Sequence, residues 1–295
     1  MTPTPDPLLP YEPDAATFER NMTWVRKVFN VLPLTRAASD LSAGTLPPRA
    51  LVITFDDGYA NNATIAAPIL QRLGLDATFF LATGYLDGGC MFNDVVVEVV
   101  RGYSGSVLDL GKLGLGAYPV GSIVEKQAAI SALLQAVKYL DDNRRSEMAQ
   151  RIADHVRAQV PNDLMMTSAQ AAELRRSGFT LGAHTVSHPI LAKADPDHAR
   201  REIVESRARV AELAGEAVTL FAYPNGRPDV DYNSATAQMV RELGFSAAVS
   251  TSMGVATARS DAFQIPRFTP WDSRPLQFAA QLLSNMSRVT PSYAS

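Results

Sequence analysis

The chain reads as an α/β fold whose parallel sheet curls into an open or closed barrel, and three observations predict it. Apolar runs suited to strands alternate with helical segments along most of its length. The two clearest strand runs, LVITF at 51–55 and ATFFLA at 77–82, are apolar without the in–out alternation of a half-solvated strand. That is the pattern of a sheet covered on both faces. No strand run leads into a G-x-G-x-x-G loop, so the alternative, a flat doubly wound dinucleotide-binding sheet, lacks its signature.

Taken in order, residues 1–44 read as an N-terminal helical extension and 45–295 as the barrel domain. Residues 1–14 are Pro-rich. Apolar residues at Phe18, Met22, Val25, Phe29 and Leu32 predict a helix with one apolar stripe, and a second short helix ends at Gly44. The first strong strand is Leu51–Phe55. A helix over Ala63–Leu73 closed by Gly74, then a strand over Ala77–Ala82, completes a strand–helix–strand unit with parallel strands. Residues of about 90–165 read as a partly helical insertion, suited to shape a groove or a dimer contact. DVVVEVVRGY within it fits a helix or a strand by period alone, and the glycine-rich stretch after it holds short strand-like pieces. The core resumes with a helix capped by Ser168 and stopped by Gly178, a strand end at TLGAHT, and a long helix from Pro196. Further strands are expected in VTLFAYP, SAAVSTS and FQIPRF, with helices between them and a last helix in DSRPLQFAAQLLSNM.

The charge balance, 27 basic against 30 acidic residues, gives no broad nucleic-acid footprint. The single cysteine, Cys90, excludes an intrachain disulfide and a cysteine-held metal. The first residues lack the basic and apolar regions of a secretory signal, and no run of 18 apolar residues marks a membrane span. The expectation is a soluble cytoplasmic protein, with a homo-oligomer left open.

Four residues carry the chemistry. Asp56 and Asp57 stand side by side at the end of the first strand run, and His184 and His188, in GAHTVSHP, follow a strand run of the same kind. In parallel α/β folds the C-terminal strand ends share one face, so the four are expected to converge. One aspartate and two imidazoles form a facial set for Zn²⁺ or a similar cation, with open positions for water. A cation would also offset the repulsion of paired carboxylates. Against this, Asp-Asp-Gly alone is an ordinary turn, and an isolated H-x-x-x-H is common on surface helices.

These residues also carry a resemblance. TFDDGY at 54–59 and HTVSH at 184–188 match, in order, the first two motifs of the polysaccharide deacetylase family, the NodB-homology carbohydrate esterases. FAYPNG at 221–226 resembles the third motif as found in deacetylases of poly-N-acetylglucosamine. The resemblance covers roughly residues 45–90 and 165–270. It implies a distorted barrel of seven or eight strands that removes acetyl groups from sugars with Zn²⁺, or with Co²⁺, Mn²⁺ or Ni²⁺. It assigns Asp57, His184 and His188 as metal ligands and Asp56 as general base, with the Tyr59 backbone N–H as oxyanion donor. Two departures stand out. The third-motif arginine that orients the base is replaced by Ala222, leaving Arg267 as the candidate. The late histidine that acts as general acid is absent, since no histidine follows His198. Tyr223, Asn225 and Trp271 are candidates to contact an acetylated sugar or oligosaccharide, although a strand-end aromatic can equally plug the barrel. Asp94 and Asp261 are weaker candidates for substrate or arginine contacts.

Overall fold

The computed structural model describes residues 1–138, 140, 142–270, 274–288 and 291–295. The N-terminal part forms α1 (Ala15–Val28), β1 (Asn30–Val31), α2 (Leu34–Ala43), β2 (Ala50–Leu51), β3 (Thr54–Phe55), α3 (Ala67–Leu73) and β4 (Thr78–Leu81). The middle forms α4 (Phe92–Gly102), β5 (Val107–Asp109), β6 (Ala117–Pro119), α5 (Ile123–Lys138) and α6 (Asp142–Val156). Then come α7 (Ser168–Arg176), β7 (Thr180–Ala183), α8 (Pro196–Ala214), β8 (Leu220–Ala222), α9 (Ser234–Glu242), β9 (Ala247–Val249) and α10 (Pro275–Met286).

The main sheet is parallel and five-stranded, in the order β3-β4-β7-β8-β9. Every residue of β4, β8 and β9 is buried, which accounts for their unalternated apolar composition. Successive side chains enter different layers. Phe79, Leu181, Ala183, Phe221 and Ala248 join the cluster that packs against the surrounding helices. Phe80, Leu220, Ala222, Ala247 and Val249 form another, to which α2 adds Leu34 and Ala38. Gly182 lies between neighbours on β7 because a Cβ there would sit 2.4 Å from the Phe80 ring.

The sheet curls without closing. Its two edges are joined by a side chain instead of a backbone ladder. Arg267, beyond β9, donates from Nε to the Ser250 carbonyl at 3.1 Å and from Nη1 to Thr54 Oγ1 of β3 at 3.0 Å. The strand number implied by the resemblance is approached only by adding the β1-β2 pair and a parallel bridge between Val249 and Ile265.

Some expectations change. Residues 51–55 do not form one strand: β2 pairs with β1 and β3 with β4, so one extended segment is divided between two partners. FQIPRF contributes only the Ile265 bridge, and the Ser250 carbonyl, where the next rung would fall, accepts from Arg267 Nε instead of from a backbone N–H. The first helix stops at Val28, and Phe29 and Leu32 are buried beyond it. The cap of α7 is Thr167, in a capping box with Gln170, instead of Ser168. DVVVEVVRGY is helical, and its buried valines pack on more than one side, which obscures the period. With the antiparallel β5-β6 pair, α5 and α6, it encloses a separate core that includes Val96, Val99, Leu108, Leu133 and Ile152. Among the described residues, no helix is long and apolar enough to cross a membrane.

Candidate metal and catalytic site

At the end of β3 the chain turns sharply, with Asp57 in the left-handed region at φ 73°. The turn sends the two neighbouring carboxylates to different partners. Asp56 receives both arms of the Arg267 guanidinium, Nη1 to Oδ1 at 2.8 Å and Nη2 to Oδ2 at 2.7 Å. This bidentate geometry is the strongest form of the pair. Burial works to raise the Asp56 pKa, but the Arg267 charge and the nearby histidines prevail and hold it below the usual carboxylate value. Burial likewise opposes the charge of Asp57, and its contacts with His184 and His188 outweigh this, so its pKa is lowered too.

His184 follows β7 and is fully buried. Its Nδ1 lies 2.7 Å from the Ala222 carbonyl, so Nδ1 carries the proton and Nε2 is the free lone pair. That Nε2 is buried and makes no hydrogen bond. It stands 3.4 Å from Asp57 Oδ1, and His188 Nε2 stands 3.3 Å from the same oxygen. Two ligands held about 2.0–2.1 Å from one tetrahedral ion lie about 3.3 Å apart, so the spacing fits a shared cation better than direct hydrogen bonds. One ligand atom from each of Asp57, His184 and His188 falls within 4.8 Å of the others. Burial pushes His188 down to about 4, which keeps it a neutral imidazole able to ligate. Burial also opposes a charge on His184, yet its contacts with the two aspartates prevail and raise its pKa. The residues present fit a divalent cation, and this buried Asp/His/His cluster is suited to metal binding and catalysis.

The other candidates fall into place around it. The Tyr59 hydroxyl bonds Asp94 Oδ1 at 3.2 Å and accepts from Asn93 at 3.1 Å. The antiparallel bridge to Met165 uses the flanking Ala60 N–H and Gly58 carbonyl, and the Tyr59 N–H takes no acceptor among the described residues. Tyr223 turns inward: it has no exposed surface, stacks on Tyr232 at 3.9 Å, and donates its hydroxyl to the Phe263 carbonyl. It plugs the barrel, and its pKa is raised by burial. Asn225 is half-buried with φ 57°. Trp271 lies outside the described residues. Asp261 pairs with Arg241 at 3.0 Å and does not join the cluster. Sequence reasoning missed Glu202 and Arg145, both of which touch the histidine loop. Their partners there are backbone groups and a serine hydroxyl, which no pattern of residue types announces.

The polysaccharide deacetylase family model matches this chain over residues 43–104 and 117–248. The chain therefore belongs to the polysaccharide deacetylase family. It is 22% identical to YxkH of Bacillus subtilis over 252 residues, 85% of this chain, and spans only 62% of that relative's length. Its fold is similar to that of the Streptococcus pyogenes deacetylase PplD, solved in complex with acetate, with a TM-score of 0.61 at 19% identity, covering 93% of this chain and 87% of that one. It is also similar to IcaB from Ammonifex degensii, with a TM-score of 0.56 at 18% identity, covering 91% and 89%.

Proposed function

We propose that the protein is a metal-dependent hydrolase that removes the acetyl group from an N-acetylated sugar or glycan. The observation that carries this reading is the division of labour between the adjacent aspartates: Asp57 shares one oxygen with two imidazole Nε2 atoms, while Asp56 is held by Arg267. Asp57, His184 and His188 would hold the cation, Zn²⁺ in first place, and it would supply Lewis acidity and a lowered pKa for water.

The remaining steps belong to the chain's own groups. Asp56, kept ionised by Arg267, accepts the proton of the attacking water; a carboxylate has enough lone pairs to serve both. The free Tyr59 N–H is a donor for the developing oxyanion. The departing amine needs a proton, and Asp56 returns the one it took, so amide and water become acid and amine with protons balanced. This route needs no late histidine. His155 meets the Asp109 carbonyl at 3.1 Å from an exposed position on α6. A retired scaffold with a binding role is the alternative reading, suited to the absent third-motif arginine and late histidine; the two-armed contact of Arg267 with Asp56 favours the hydrolase.

The test is acetate release from N-acetylglucosamine oligomers by Zn²⁺-loaded protein, wild type beside Asp56→Asn. The expected result is release by the wild type, and a loss on the order of 10²–10⁴-fold in the variant with bound metal retained. A metal-loaded wild type that releases no acetate, or a variant as active as wild type, would overturn the reading.

A further inference from the structure

The histidine loop is bent in a way its residues do not favour. Thr185 and His188 both have positive φ, 64° and 55°, and the first is β-branched. Such conformations persist only when surroundings impose them. His184 is anchored by its burial and by the Ala222 carbonyl, but His188, at the far end, depends on what holds the loop.

Two charged side chains outside the motifs grip it. Glu202, from α8, is nearly fully buried. Its Oε2 accepts the N–H groups of Val186 and Ser187, each at 2.8 Å, and its Oε1 accepts the Ser187 hydroxyl at 2.8 Å. All of its side-chain hydrogen bonds among the described residues come from this loop, and a buried carboxylate needs such donors. Arg145, on α6 of the inserted segment, is 2% exposed and reaches across to donate from Nη2 to the His188 carbonyl at 3.0 Å. Its guanidinium lies over the Phe92 ring, 4.7 Å from the centroid, which fixes its direction. Negative charge thus meets the loop's N–H groups and positive charge meets its terminal carbonyl. On a third side the loop lies against Gly84, where a Cβ would come within 2.8 Å of the Val186 carbonyl oxygen.

We infer that Glu202 and Arg145 are positioning residues that hold His188 in register with His184 and Asp57, and so set the affinity and geometry of the metal site. The inserted segment is thereby part of the metal centre's support. The inference rests on the metal site proposed above.

The test measures Zn²⁺ affinity by competition with a chromophoric chelator, and the visible absorption of the Co²⁺-loaded protein. Glu202→Ala, Glu202→Gln and Arg145→Met are compared with wild type and with Glu205→Ala, an exposed control on the same helix. Unfolding of the metal-free forms identifies those that fold. Folded Glu202→Ala and Arg145→Met are expected to bind Zn²⁺ about 10- to 100-fold more weakly, with an altered Co²⁺ spectrum, as for other groups that orient metal ligands. Glu202→Gln, which keeps one acceptor oxygen, should lose less. If Glu202→Ala does not fold, the other two decide. Wild-type affinity and an unchanged spectrum in the folded variants would overturn the inference, whereas a wild type that binds no metal would instead overturn the site it rests on.

Discussion

The curled sheet and the helices α4–α6 meet around the candidate site but contribute to it differently. Most of the groups placed to hold a cation or move a proton come from the ends of sheet strands: Asp56 and Asp57 after β3, His184 and His188 after β7. Arg267 arrives just beyond the last bridge. The segment α4–α6 sends one guanidinium to a backbone carbonyl, and Asn93 and Asp94 to the Tyr59 hydroxyl. Parallel strands converge at their C-terminal ends, so reactive side chains collect there. A segment with its own core touches that chemistry by supporting the groups around it, not by supplying a cation ligand.

The largest effect that would sharpen this contrast is on the sheet side. Arg267→Met removes the cation that opposes burial at Asp56. Turnover should fall on the order of 10²-fold. The base must be unprotonated to work. With Arg267 in place its pKa is held below the usual carboxylate value; without Arg267 it rises, so the acid limb of kcat/KM should move to higher pH. An unmoved limb would separate Arg267 from the base.

Next in size is a cut in the separate core enclosed by α4–α6. Leu133 is fully buried there, and Leu133→Ala should cost about 2–5 kcal/mol of stability. Measured by thermal unfolding beside metal content, the folded variant should keep its metal. Metal loss without unfolding would break the distinction between the two regions.

The smallest effect lies where the two regions touch. Burial, with the charge of Asp57 adding to it, pushes the Asp94 carboxyl up to about 7. The folded state then holds this proton more tightly than the unfolded chain does. The associated stability is full below about pH 4 and is lost as pH rises through about 7. Asp94→Asn stays neutral throughout, so in metal-free protein its unfolding temperature should gain on wild type by a few degrees between pH 4 and pH 8. A constant gap would contradict the buried, protonated carboxyl.

The aspartate and histidine pairs were legible because each follows an apolar strand run, and strand ends of a parallel sheet share a face. Arg267 was visible as a candidate, but not its two-armed grip on Asp56, which depends on the curl that brings β3 and the chain after β9 together. The inward turn of Tyr223 was not legible because strand-end position does not say which way a ring turns; Tyr232 and the Phe263 carbonyl, forty residues away, draw it inward. Likewise, the strand expected at 51–55 was divided by pairing partners that local composition does not encode.

The most direct measurement is metal content by elemental analysis of wild type and Asp57→Ala, each purified without added metal and again after reconstitution with Zn²⁺. The account predicts close to one divalent ion per wild-type chain and its loss from the folded variant. A wild type that takes up no ion, or a variant that keeps one as firmly, would contradict it.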